Sequence, residues 1–284
     1  ADTLELRGAE SKLNQNENPL DLPAELKTQI LARAARLPWN RYPEFVPVPL
    51  VEAIARRWSW TPEGVLVGNG WNELIQATLT VSLESGGVVV APAPTFALYR
   101  LIAATLGARY VPVPLGDRFA YDIDAIISAA RREDACVVVL NSPNNPTGSA
   151  LPAGAVQRVL EESNALVVCD EAYQEFGGPT AVELLRRSSR IVVLRTFSKA
   201  MGMAGLRFGY ALAHPSVARD IAKAKLTYNV HPFPPAAAST VREHPARLTE
   251  HTRAVHAARA KPAGRARGTP DATASRVPPP RRAT

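Results

Sequence analysis

Short apolar runs and amphipathic segments alternate along much of the chain. The clearest runs are 87–91 (GVVVA), 136–141 (CVVVLN), 165–170 (ALVVCD), 191–196 (IVVLRT) and 208–213 (FGYALA). Near-continuous Val/Leu stretches of this length suit strands that are covered on both faces. Segments 121–132, 153–163 and 181–188 lie between them and read as crossover helices. Alternating strand and helix predicts an α/β architecture: a mostly parallel sheet with helices on both faces and right-handed crossovers. In open sheets of this kind ligands gather beyond the carboxyl ends of the strands. Polar motifs stand at those ends here: SPNNPTG at 142–148, DEAYQEF at 170–176 and TFSKAMG at 196–202. Three motifs on three strand ends predict one pocket.

Composition narrows the setting. The 284 residues are 46% hydrophobic, which fits a globular chain with one large core or two modest ones. No stretch reaches the roughly 18 to 20 apolar residues of a membrane span, so no membrane partner is expected. The first twenty residues lack a basic head followed by an apolar run, so no secretory leader is expected. Cys136 and Cys169 both fall in strand-like runs. They suggest neither a disulfide framework nor a metal site, and a cytoplasmic setting follows. The net charge of +7 would ordinarily raise nucleic acid as a partner. However, residues 245–284 carry nine Lys/Arg against two Asp/Glu, whereas residues 1–244 carry 24 of each sign. The body is neutral, and nucleic acid is not an expected partner. Residues 245–284 contain six prolines and no aromatic residue. Such a segment buries too little apolar surface to offset its ordering entropy. It is expected to be a disordered tail, or out-of-frame sequence standing in place of a natural C-terminal third.

Lys199 follows a buried strand in a setting that offers phosphate ligands. Thr196 and Ser198 supply hydroxyls, and Arg207 supplies a guanidinium suited to bidentate phosphate recognition. A lysine beside a phosphate clamp is what pyridoxal phosphate needs, the amine forming a Schiff base and the phosphate anchoring the cofactor. Asp170 ends ALVVCD; it serves either as a helix cap or ion-pair partner, or as the carboxylate that keeps a pyridine nitrogen protonated. Tyr173 and Asn145 are placed to donate to the cofactor's O3′ and so to favour its anionic form, although NNPTG is equally an ordinary turn. Gly68–Glu73 (GNGWNE) leads into a helix-like segment, so the backbone of Trp71 and Asn72 is a candidate second half of the phosphate cup. Phe96 either stacks on the cofactor ring or belongs to the core.

Taken together, LNQNENP (13–19), RYPE (41–44), GNGWNE (68–73), APTFALY (93–99), SPNNPTG (142–148), DEAYQEF (170–176), RTFSKAMGMAGLRFGY (195–210) and KLTYNV (225–230) resemble the class I/II, fold-type I aminotransferases. RYPE, DEAYQEF and the lysine run resemble the histidinol-phosphate aminotransferase branch. The resemblance covers roughly 10–240. It implies the large domain of a fold-type I pyridoxal-phosphate transferase at 41–240, a preceding N-terminal arm at 1–40, and a small C-terminal domain truncated or replaced at 245–284. It implies Lys199 as the Schiff-base lysine and proton carrier, Asp170 on the pyridine nitrogen, and Asn145 and Tyr173 on O3′. Thr196, Ser198, Arg207 and the Trp71–Asn72 backbone hold the phosphate, and Phe96 takes the stacking place. Tyr42 reaches the cofactor phosphate of a partner subunit, which implies a homodimer, and Asn18 lies at the substrate entrance. Trp71-Asn72 departs from the family's usual Ser-Asp. The implied reaction is transamination between L-histidinol phosphate and 2-oxoglutarate in histidine biosynthesis. A related threonine-phosphate decarboxylase-like lyase or another aromatic aminotransferase would share the cofactor residues, and a fragment lacking the small domain would be inactive.

Overall fold

The computed structural model describes residues 14–83 and 85–260. In chain order the elements are α1 (Ala24–Ala35), α2 (Val48–Arg57), β1 (Val65–Gly68), α3 (Trp71–Ser82), β2 (Val88–Ala93), α4 (Leu98–Thr105), β3 (Arg109–Pro114), α5 (Ile123–Arg132), β4 (Val137–Asn141), α6 (Ala155–Glu162), β5 (Leu166–Asp170), β6 (Ile191–Thr196), β7 (Gly209–Ala213), α7 (Pro215–Lys223), α8 (Phe233–Glu243) and α9 (Pro245–Ala260). The strands form one sheet in the order β1-β7-β6-β5-β4-β2-β3. β7 runs antiparallel to both its neighbours, and the other pairings are parallel.

The period-2 alternation of the strands builds two cores, one on each face. Val138, Leu140, Val167, Cys169 and Val193 face a layer that includes α2, α5 and α6. Val137, Val139, Val168, Val192 and Leu194 face α3, α4 and α7. α5 illustrates how local sequence sets an element. The Asp122 carboxylate accepts from the Ala125 N–H at 2.9 Å and caps the helix. Ile123, Ile126, Ile127 and Ala130 then recur on the buried face.

The α/β expectation holds, with four local differences. β1 has only four residues, too short a run to stand out. β3 (RYVPVP) lies at the sheet edge, where its half-exposed face and two prolines are tolerated. Segment 181–188 is a short 3-10 turn at Val182–Arg186 and not a crossover α-helix. The Glu171 carboxylate accepts from Ala181 N–H at 2.6 Å and Thr180 Oγ1 at 2.9 Å. That pins the entry of the loop, which makes only the one 3-10 turn before β6. The fourth difference concerns the tail. Disorder is expected from residue 245, yet Pro245–Ala260 is helical. Proline suits the first turn of a helix, and the alanines and arginines that follow are good helix formers. The rest of the expected tail, 261–284, lies outside the described residues, as does 1–13 of the expected N-terminal arm. Further along that arm, Arg33 of α1 bonds Thr240 and Glu243 of α8 at 3.2 and 2.9 Å. Among the described residues, no helix is long and apolar enough to cross a membrane.

Leu74 of α3 is fully buried against the sheet. Leu74→Ala is expected to lower unfolding stability by about 2–5 kcal/mol, read as a reduced urea midpoint at unchanged slope.

Candidate active site

Strand register assembles the site. Gly209, the first residue of β7, pairs with Gly68 at the end of β1 on one side and with Thr196 at the end of β6 on the other. The start of α3, the loop after β6 and the residues just before β7 are thereby brought to one sheet edge. On the other side of β6, Asp170 pairs with Leu194, and Asn141 pairs with Asp170. Lys199, Asp170 and the Asn145 loop therefore face a common space.

Asp170 is 1% exposed. Its Oδ2 accepts from Tyr99 OH at 2.6 Å and from Trp71 Nε1 at 3.0 Å, and its Oδ1 accepts from Ala172 N–H at 3.0 Å. Burial raises its pKa above the ordinary carboxylate value, while these three donors and the nearby Lys199 charge act in the opposite direction. Tyr99, buried beside that carboxylate, is held protonated well above the usual phenol range, chiefly by burial.

Lys199 lies in the loop between β6 and β7 and is 8% exposed. Its Nζ donates to the backbone carbonyls of Gln15 at 2.7 Å and Asn16 at 3.2 Å. It sits 5.5 Å from the Tyr173 ring centroid and 5.9 Å from that of Trp71. Burial lowers its pKa below 10.5; the charge of Arg207 adds to that effect, and Glu17 and Asp170 oppose it. Tyr173 and Asn145 are brought together: Asn16 Nδ2 donates to Tyr173 OH at 3.2 Å and to Asn145 Oδ1 at 3.4 Å. Asn18 Nδ2 donates to the carbonyls of Lys199 and Ala200 at 3.1 and 3.2 Å, tying the N-terminal segment to the lysine loop. Asn16, Asn18, Asn145, Tyr173 and Lys199 line a cleft of about 490 Å³ that Val255 and His256 of α9 also border.

At the other end of the site, Arg207 Nη1 lies 3.4 Å from Ser198 Oγ, and Ser198 N–H donates to Thr196 Oγ1 at 3.0 Å. Arg207 adopts a left-handed backbone conformation (φ 53°). Gly70, also left-handed at φ 79°, precedes α3, whose N-terminus no side chain caps. A Cβ at Gly70 would overlap the Arg207 guanidinium. Glycine there lets the arginine lie against the open helix N-terminus, so a guanidinium and free backbone N–H groups of the kind that can hold an anion stand side by side. Phe96 stacks at 5.8 Å and 23° on Trp71 and meets Tyr99 edge-on at 5.7 Å.

Tyr42 lies apart from this constellation. It is 81% exposed and stacks on Tyr228 at 4.5 Å, with Phe45 alongside. Sequence reasoning also missed two features. The Trp71 side chain enters the site as well as its backbone. On the opposite face, Arg195 is buried between Glu171 at 2.6 Å and Glu175 at 2.8 Å. The signal for the arginine cluster was alternation: residues next to Asp170 and Thr196 must face away from them.

Gly70→Ala is expected to displace Arg207 and weaken inorganic phosphate binding about tenfold, measured by calorimetric titration. Glu171→Gln takes one carboxylate from a buried arginine and should cost about 3 kcal/mol, read by urea unfolding.

The family described as Aminotransferase class I and II matches residues 10–267. The chain is 43% identical over 221 residues to a histidinol-phosphate aminotransferase of Chlorobaculum tepidum, covering 78% of this chain and 64% of that one. It is 43% identical over 218 residues to the Chlorobium phaeovibrioides protein of the same name, covering 76% and 61%. The chain therefore spans somewhat less than two thirds of the length of these curated relatives. Among solved structures it is similar to the histidinol-phosphate aminotransferase of Sinorhizobium meliloti in complex with pyridoxal-5′-phosphate, with TM-score 0.79, 28% identity, and coverage of 86% of this chain and 67% of that chain. It is also similar to N-succinyldiaminopimelate aminotransferase of Mycobacterium tuberculosis, with TM-score 0.76, 27% identity, and coverage of 86% and 69%.

Proposed function

Because the chain belongs to the class I and II aminotransferase family, we propose that its site holds pyridoxal phosphate and transfers amino groups, with L-histidinol phosphate as donor and 2-oxoglutarate as acceptor. The observation that carries this reading is the convergence of a buried lysine amine, a buried carboxylate and an anion cradle at one sheet edge. The donor types present suit the cofactor's phosphate, ring nitrogen and O3′. Gly70, Arg207, Ser198, Thr196 and the Trp71–Asn72 backbone would hold the phosphate. Asp170 would hold a proton on the ring nitrogen, Asn145 and Tyr173 would bond O3′, and Phe96 would stack near the ring.

When bound, pyridoxal phosphate supplies a carbonyl that captures amines and a ring that accepts the electron pair left by loss of the donor's Cα proton. Lys199 does the remaining work. An amine of lowered pKa is more often neutral near physiological pH, so Nζ can act as nucleophile and afterwards carry the proton to and from Cα. An ionised Asp170 would stabilise a proton on the ring nitrogen, and the low-dielectric surroundings of this buried carboxylate would strengthen that attraction. Asn18, bonded to the carbonyls of Lys199 and Ala200, fixes the loop that carries the amine. The histidinol-phosphate assignment draws on the names of the relatives at 43% identity. The homodimer draws on the exposed aromatic cluster of Tyr42, Phe45 and Tyr228, an apolar patch of the sort that subunit contacts cover. A cytoplasmic setting goes with this biosynthetic role.

The purified chain mixed with pyridoxal phosphate should develop the visible absorption of lysine-bound cofactor, and Lys199→Ala should not. Absence of that band in the wild-type chain contradicts the reading. The pH dependence has a definite sign. A protonated amine cannot attack, and the Lys199 pKa lies below 10.5, so attachment should quicken as pH rises and level off before 10.5. Asp170→Asn should weaken cofactor retention about 10–100-fold, the worth of a hydrogen bond to a charged group. Formation of the keto product from L-histidinol phosphate and 2-oxoglutarate tests the substrates directly.

A further inference from the structure

Trp71 is the first residue of α3, and its ring is 8% exposed. A helix-opening residue needs no bulky side chain, because the anion cradle uses only its backbone. Yet this indole turns inward across the site. Its Nε1–H donates to Asp170 Oδ2 at 3.0 Å. Its ring lies at 23° to Phe96, with centroids 5.8 Å apart. The Lys199 Nζ is 5.9 Å from its centroid. A planar N–H heteroaromatic held by a buried carboxylate, stacked on an aromatic ring and overlooked by the lysine has the surroundings that a pyridinium ring requires.

We propose that Trp71 is an internal competitor for the cofactor's ring: its indole takes the Asp170 carboxylate and the Phe96 stacking partner, and the pyridine ring binds only after the indole has turned away. This inference rests on the reading of the site as one for pyridoxal phosphate. The N-terminal segment extends the same pattern, since the carbonyls of Gln15 and Asn16 take the Lys199 amine and the Asn16 amide spans Tyr173 and Asn145. Satisfying a buried carboxylate internally removes the cost of leaving it without a donor. The consequence is a penalty on the ligand, because the observed dissociation constant is the intrinsic one divided by the fraction of molecules with the indole out. If the indole-in arrangement holds roughly 90–99% of the population, that penalty is about 10–100-fold.

The test compares pyridoxal phosphate affinity in the wild-type chain, Trp71→Ser and Trp71→Phe, with near-ultraviolet circular dichroism confirming the fold of each. Trp71→Ser keeps the backbone N–H and removes the competitor, so it should bind at least tenfold tighter. Trp71→Phe keeps a ring without the N–H and should fall between. Equal or weaker binding by a folded Trp71→Ser overturns the proposal, since the indole would then be part of the cradle. A second measurement needs no variant that removes the ring from a working site. In the wild-type chain, the Trp71 indole proton, assigned by its loss in Trp71→Phe, should exchange slowly with solvent and at least tenfold faster once pyridoxal phosphate is bound. Exchange that stays slow on binding overturns the proposal even if Trp71→Ser does not fold. Absence of the visible band in the wild-type chain at saturating pyridoxal phosphate would instead overturn the cofactor reading itself.

Discussion

β7 is a five-residue strand inserted antiparallel between β1 and β6, and the site depends on where it begins. Gly209 is paired in register with Gly68 and Thr196, and a Cβ there would come within 2.6 Å of the Trp71 backbone nitrogen. Only glycine lets α3 start this close to the sheet. That close start sets the helix N-terminus beside Arg207, while the reversal from β6 to β7 presents Lys199 on the intervening loop. The neighbouring register, Asn141 to Asp170 to Leu194, carries the carboxylate and the Asn145 loop into the same space. Backbone pairing thus fixes the spacing of the reacting groups before any side chain is considered.

Electrostatics then follows from burial. Asp170 and Lys199 are both taken out of water, and desolvation disfavours charge on each, pushing the carboxyl up and the ammonium down. Tyr99 and Trp71 limit the rise at Asp170 by donating to it. The Arg195 cluster on the far face separates structural from chemical charge. Glu171 and Glu175 pair with the arginine on the far face, and Asp170, one residue earlier, faces Tyr99 and Trp71. Consecutive acidic residues, Asp170 and Glu171, serve opposite faces of the sheet because strand side chains alternate.

Much of this was legible in the chain itself. Apolar runs announced the five central strands, four of them rich in valine, and their polar ends named Lys199, Asp170, Asn145, Tyr173, Thr196, Ser198 and Arg207, which the fold gathers at one edge. What was not legible depended on tertiary context. β3 is disguised by two prolines that an edge strand tolerates, and β1 is too short to register as a run. The helix over Pro245–Ala260 was hidden by a composition typical of disorder, although His251 buries itself against the body. The inward turn of Trp71 had no sequence signal beyond an aromatic residue at an unexpected helix start. Conversely, Tyr42 keeps away from its own chain's site, stacked on Tyr228 in an exposed patch.

The central claim is that Lys199 is the residue that engages the cofactor. It is tested most directly by reducing the protein with borohydride in the presence of limiting pyridoxal phosphate and mapping the modified peptide by mass spectrometry. A single pyridoxyl label on Lys199, approaching one per cofactor added, is the expected result. A label distributed over exposed lysines such as Lys27 and Lys223, with Lys199 unmodified, would contradict it.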